Sequence, residues 1–210
     1  MIDWAWIADH LDDFVGRAGQ HLYLTAIAVS VGFVISFGLA VWSVRQRRAY
    51  GPILAASGVL YTIPSLALFP FFVPVTGLTD LTALVPLVLY SLVIFVRNIV
   101  TGLDGVPAEV LEAADGTGFD RFGRFWRVEV PLALPLIVAG IRLAAVSTIG
   151  LVTITALLGD RFGGLGFFIF EGLRHSFATE IFLGGLGSIA LAVAVDAILV
   201  RVQRRLTPWS

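Results

Sequence analysis

Hydrophobic positions in this chain run on without interruption for the thickness of a bilayer, instead of alternating with polar ones. Residues 22–44 carry no charge and end against Arg45, Arg47 and Arg48. Residues 49–79 are also uncharged, but Pro52, Pro64, Pro70 and Pro74 punctuate them. Residues 81–96 lie between Asp80 and Arg97 and reach full length only by taking in 97–100. Residues 130–159 hold one charge, Arg142; residues 181–200 hold one, Asp196, before Arg201, Arg204 and Arg205 stop the run. Apolar runs of about 18 or more residues with few charges read as transmembrane helices. The pattern predicts an all-α polytopic membrane protein of about five spans, the second the least regular.

Composition sharpens this. Of 210 residues, 58% are hydrophobic and 14% charged, against about 25% charged in an ordinary soluble domain. Disorder, a disulfide scaffold and a nucleic-acid binder are excluded. Cys is absent, so no thiol chemistry or Cys-ligated metal is available. Lys is absent too, and a P-loop needs a Lys on the phosphates. If transport is ATP-driven, another polypeptide must hydrolyse the ATP.

Arginine placement predicts the orientation, because cytoplasmic loops are enriched in Lys and Arg. With the N-terminus outside, the inner segments hold Arg45, Arg47, Arg48, Arg97, Arg121, Arg124, Arg127, Arg201, Arg204 and Arg205, and the outer ones only Arg17, Arg161 and Arg174. An N-out, C-in topology follows, and the net charge of -1 averages a positive inner face with a negative outer one. Residues 1–21 lack the basic start of a secretory signal. Trp4, Ile7, Leu11, Phe14 and Ala18 recur at helical spacing, which predicts a short helix in the outer interface anchored by Trp4 and Trp6. Residues 22–201 form one membrane domain with no internal repeat, and 202–210 a cytoplasmic tail. So few helices enclose little space, and transporters commonly build their path between two halves, so a half-transporter that dimerises is expected.

The longest inner loop, 101–131, is ordered by its residue types. Pro107 suits the first helical position, and Glu109 and Glu112 favour a helix N-terminal half. Asp115-Gly116-Thr117-Gly118 reads as a stop and turn, and Phe119, Phe122, Phe125 and Trp126 then lead toward Pro131. Glu112-Ala113-Ala114, Gly118 after three more residues, and Val128-x-Val130-Pro131 after a further nine resemble the EAA loop of ABC importer permeases, EAA-x3-G-x9-I-x-L-P, with Val in place of Ile and of Leu. Tyr61-Thr-Ile-Pro-Ser-Leu-Ala-Leu68, Leu89-Tyr-Ser-Leu92, Val96-Arg-Asn98, Thr101-Gly-Leu103, Leu134-Pro-Leu-Ile-Val-Ala-Gly-Ile-Arg142 and Gly163-Gly-Leu-Gly166 are similar to the osmoprotectant-uptake branch, whose members import glycine betaine, choline, carnitine or related compounds.

This resemblance implies a type I importer permease in a bacterial inner membrane. It implies a cytoplasmic ABC ATPase dimer carrying ATP and Mg, a second permease copy or paralogue, and an extracytoplasmic substrate-binding protein. The loop would be the coupling helix. Glu112 would fix it through polar contacts, Ala113 and Ala114 would permit close approach, Gly118 would make the corner, and Pro131 would start the next span. No catalytic or metal-binding residue and no resident cofactor are expected.

Within the membrane, Pro64 and Pro70 remove backbone donors, and broken helices at that depth line protein or water-filled cavities. Thr62, Ile63, Pro64 and Ser65 are therefore candidates to line the path, against a simply kinked packing helix. Arg142 lies ~15 Å into its span and Asp196 ~7.5 Å from the inner end of the last one. The two meet if Arg142 reaches inward, which makes them a candidate structural or gating pair. Gly163, Gly164 and Gly166, followed by an aromatic stretch, are candidates for an external gate or a contact with the binding protein. An integral membrane enzyme would need His or acids clustered at one depth, yet His10, His21 and His175 all fall in outer segments. A channel or ion-coupled carrier would leave the 101–131 loop without a purpose.

Overall fold

The computed structural model describes residues 2–208; Met1, from the predicted segment 1–21, and Trp209 and Ser210, from the predicted tail, lie outside the described residues. Every regular element among the described residues is helical. Helix α1 (Trp4–Asp9) is capped by Asp3, whose carboxylate accepts from the Trp6 N–H at 3.0 Å. Helix α2 (Leu11–Arg45) follows. At ~1.5 Å per residue its 35 residues span ~52 Å, well beyond a hydrocarbon core of about 30 Å. It passes without a break through the boundary expected after residue 21, so only α1 is a separate interfacial piece. No residue from 11 to 22 breaks a helix, and Asp12 and Asp13 suit its first turn.

The proline-rich second span is broken. Helix α3 (Arg47–Thr62) stops at Ile63, and α4 (Ser65–Phe71) and α5 (Val73–Thr76) leave it at 95°. Helix α6 (Asp80–Asp104) takes in Arg97 and continues past it. Helices α7 (Ala108–Gly116) and α8 (Arg121–Arg124) form the inner loop. A π-helical turn, Phe125–Glu129, then runs into α9 (Val130–Ile154) and a 3-10 turn, Thr155–Leu158. The loop is thus shorter than 101–131, since both of its ends are already helix. Helix α10 (Gly166–Arg174) precedes α11 (Ala178–Leu206). Helix α11 continues through Arg201, Arg204 and Arg205, so most of the expected tail is helical: charge ends a hydrophobic run but not a helix. Among the described residues four helices are long and apolar enough to cross a membrane, or five if the bent pair counts as one broken span.

Helix α6 is the axis, packed between α2 and α9 with α3 across it. One apolar cluster gathers Phe95, Ile99 and Leu103 of α6 with Ile137 of α9; another gathers Leu24, Phe69, Leu87 and Phe162. Helix α11 leans on α9 and α10, and only 11% of its most apolar window is buried. In membranes, helices meet through small residues that let backbones approach, and Gly140 of α9 does this against α6. A Cβ there would stand 2.8 Å from the Asn98 Cβ. Gly140→Ala should therefore cost about 1–3 kcal/mol through overpacking. Gly38→Ala, with nothing within 4 Å of the new methyl, should be neutral or gain about 0.5–1 kcal/mol of helix propensity. Thermal unfolding of the two purified variants in detergent measures the difference.

Candidate functional site

The loop formed by α7 and α8 is rigid by construction. Helix α7 ends in a Schellman motif: the Phe119 N–H donates to the Ala114 carbonyl at 3.2 Å and the Gly118 N–H to Asp115 at 3.0 Å. Gly118 adopts φ +88°, a conformation that favours glycine, as its expected role at the corner requires. Ala114 is buried while Glu112 and Ala113 face outward. Glu112 was expected to fix the loop through polar contacts, but it makes no hydrogen bond or ion pair among the described residues. Arg124 does that work, donating to Asp115 at 2.6 Å and to Glu129 at 2.9 Å, and so ties the end of α7 to the turn entering α9. Pro131 lies at the start of α9, directly after the π-helical turn, and has no N–H to return to the turn before it. Phe125 is buried, and Trp126 stacks on Phe37 of α2 at 5.9 Å. The Arg124 bridge was missed; a basic residue five positions before Glu129 was the available signal.

Thr62, Ile63, Pro64 and Ser65 are brought together as expected, at the break between α3 and α4. They line an open cleft of about 490 Å³ with Tyr61, Tyr90 and, from α9, Ser147, Gly150 and Leu151. Pro64 has no N–H to donate, and the end of α3 leaves carbonyls that other donors meet: the Ile63 N–H bonds the Leu60 carbonyl at 3.4 Å, the Thr62 hydroxyl that of Val59 at 2.7 Å, and the Tyr90 hydroxyl that of Ile63. Tyr61 meets Tyr90 edge-on at 5.8 Å. Pro70 does not break the chain again; it sits inside α4. Tyr90 went unnoticed although it is an aromatic hydroxyl in the middle of an apolar run.

Arg142 and Asp196 pair, on helices α9 and α11. Asp196 accepts from the Arg142 Nε at 2.9 Å and from one terminal nitrogen at 3.1 Å, and the other terminal nitrogen donates to Gln203 at 3.0 Å. With α11 running to Leu206, Asp196 lies ~15 Å from its inner end and Arg142 ~18 Å from the start of α9, so the charges meet at nearly equal height. Their side chains retain 31% and 35% exposure.

The outer glycine turn differs from the expectation. Gly163, Gly164 and Gly166 are buried and do not present a surface to a partner. Gly163 sits at φ +93° against Ala156, and Gly166 against Thr153, where neither leaves room for a Cβ. Helix α2 clamps this turn. The Leu165 N–H donates to His21 Nδ1 at 3.3 Å while His21 Nε2 donates to the Ile149 carbonyl at 2.9 Å, which is the pattern of a neutral ring. Gln20 accepts from the Gly164 N–H at 3.2 Å, and the Thr155 hydroxyl accepts from that of Gly163 at 3.0 Å. The polar pair Gln20-His21 at the head of an apolar run was the missed signal. Trp6, expected as a lipid anchor, packs inward against Phe177 and Phe168, whereas Trp4 is 73% exposed.

Residues 24–209 match the family described as "Binding-protein-dependent transport system inner membrane component". The chain belongs to this family. The permease is 40% identical over 194 residues to the osmoprotectant import permease protein OsmW of Salmonella typhimurium, covering 90% of this chain and 89% of that protein. It is 36% identical over 193 residues to the glycine betaine/carnitine/choline transport system permease protein OpuCB of Bacillus subtilis, covering 91% and 88%. Among solved structures, a chain of the MetNI methionine ABC transporter in an inward-facing conformation superposes with a TM-score of 0.79 at 21% identity, covering 92% of the permease and 96% of that chain. The permease has the all-α fold of type I ABC importers and is an inner-membrane component of a transport system.

Removing one partner of a desolvated ion pair strands the other, whereas replacing both with apolar residues is close to neutral. Arg142→Met or Asp196→Leu alone should lower the melting temperature, because each leaves the other charge without its partner. The double variant should recover most of that in thermal unfolding. Uptake still abolished in the stable double variant identifies a gating role beyond the structural one.

Proposed function

We propose that the permease moves a compatible solute bearing a quaternary ammonium group, such as glycine betaine, choline or carnitine, into the cell. The observation that carries the substrate class is the set of curated relatives, 33–40% identical over at least 90% of the chain and named for osmoprotectant, glycine betaine, carnitine or choline transport. The cleft at the break is compatible with such a cargo. Its lining holds no charged side chain but offers two aromatic rings and several hydroxyls, and a quaternary ammonium is attracted by aromatic faces.

In this reading the N-terminus is outside and the C-terminus inside, as the arginine distribution favours. Helix α7, with Glu112 and Ala113 free on its outer side, docks on a cytoplasmic ABC ATPase dimer that holds ATP and Mg. A second permease copy or a paralogue completes the path, and an extracytoplasmic binding protein delivers the solute. Arg142, locked to Asp196, acts near the path without touching the cation.

The test is uptake of labelled glycine betaine, choline and carnitine by proteoliposomes holding the permease with its ATPase and binding protein. ATP-dependent uptake of at least one is expected, and uptake of none overturns the substrate class. Glu112→Lys, a charge reversal at the docking face worth about 2 kcal/mol or more, should cut uptake at least ten-fold. The variant should melt at the wild-type temperature, because Glu112 makes no hydrogen bond or ion pair among the described residues.

A further inference from the structure

We propose that the inner end of the groove between α9 and α11 binds the phosphate of an anionic phospholipid. A cleft of about 360 Å³ opens there, lined by Arg142, Val200, Gln203, Arg204, Thr207 and Pro208. Among the described residues no carboxylate lines it. Arg142 is already neutralised by Asp196, but its guanidinium has five N–H groups and spends only three of them on Asp196 and Gln203. Arg204 makes no hydrogen bond or ion pair among the described residues, so the cleft carries one uncompensated cation beside a second set of free N–H donors. The helix end does not oppose an anion strongly, because Thr207 covers the Gln203 carbonyl with its N–H at 2.8 Å and its hydroxyl at 2.9 Å.

The surroundings select a lipid over a free anion. Positions three, four and seven apart share a helix face. Ile189 and Val193 therefore rise from Asp196 along the same stripe of α11, and Val146 stands one turn above Arg142 on α9. All three are exposed. A cationic notch at the membrane surface thus opens into an apolar stripe running toward the bilayer centre, the shape that a headgroup with its acyl chains fills. Basic pockets between spans on the cytoplasmic side hold anionic headgroups by this chemistry. The site rests on the C-in orientation proposed above. That orientation is read independently, because a single Ser210→Cys label in this Cys-free chain reports its side of the membrane.

The test uses the permease with its ATPase in nanodiscs of phosphatidylglycerol or of phosphatidylcholine, followed by mild detergent release and native mass spectrometry. Wild type is expected to retain phosphatidylglycerol and to shed phosphatidylcholine, and phosphatidylglycerol should raise its melting temperature. Arg204→Gln removes a charge-assisted contact and should lower occupancy about ten-fold, whereas Arg204→Lys keeps most of it. Arg205→Gln, which does not line the cleft, should behave as wild type. Equal retention of the two lipids, unchanged occupancy in Arg204→Gln, or full displacement by inorganic phosphate overturns the proposal, the last reassigning the cleft to a free anion. The lipid exchange on wild type decides the matter even where a variant folds poorly.

Discussion

A backbone in hydrocarbon can send its hydrogen bonds only into itself or into another part of the protein. Uninterrupted helices meet that demand at no cost. At each departure from a helix, a side chain fixed on a neighbouring element has to supply what the backbone lost. At the break after Thr62 the donors are Thr62 itself and Tyr90 of α6. At the outer turn around Gly163 they are Thr155, Gln20 and His21. The bundle is organised around these repairs: α6, its most buried span, and α2, packed along it, supply groups that make the irregular segments possible.

This explains which features could be read from the chain and which could not. Spans and the inner loop were legible because their signals are local: an uncharged run, a proline, a glycine after a short acidic helix. Helix ends were not, because Asp12, Arg201 and Arg204 mark where the apolar environment stops and a helix passes through that boundary without difficulty. Repair residues were hidden for a different reason. His21 and Leu165, or Tyr90 and Ile63, are joined only by the fold, and nothing near any of them in sequence names its partner. The outer glycines misled because glycine serves two ends. A flexible turn and a backbone that must approach Ala156 or Thr153 closely call for the same residue. Glu112 is a different case, an exposed carboxylate without a hydrogen bond or ion pair among the described residues.

The three regions singled out converge on one helix. Arg124 ties α7 to Glu129, and the π-helical turn delivers that connection into α9 without a hinge. Ten or so residues farther along, α9 carries Arg142 toward α11, then Ser147 and Gly150 into the cleft, and its outer end buttresses the glycine turn through Ile149 and Thr155. Under the proposed coupling, a displacement of α7 cannot be absorbed in the loop, because the Schellman corner and the Arg124 bridge make the loop a solid part. It has to move α9, and with α9 one wall of the cleft.

Under the proposed function the same helix carries a permanent cation and lines a path for a cationic headgroup, two requirements in apparent conflict. Geometry separates them. Arg142 and Ser147 are five residues apart, about 140° around the helix and ~7.5 Å along it, so the guanidinium faces α11 while Ser147 faces Tyr61 and Tyr90. Asp196 then closes the charge with two hydrogen bonds, leaving a neutral pair where a lone arginine would have repelled the cargo. Placing the acid on α11 has a further consequence. The contact that neutralises Arg142 also fastens α11, little of which is buried, to α9, so that under the proposed coupling α11 travels with α9 and exposes no unpaired charge to lipid as it does.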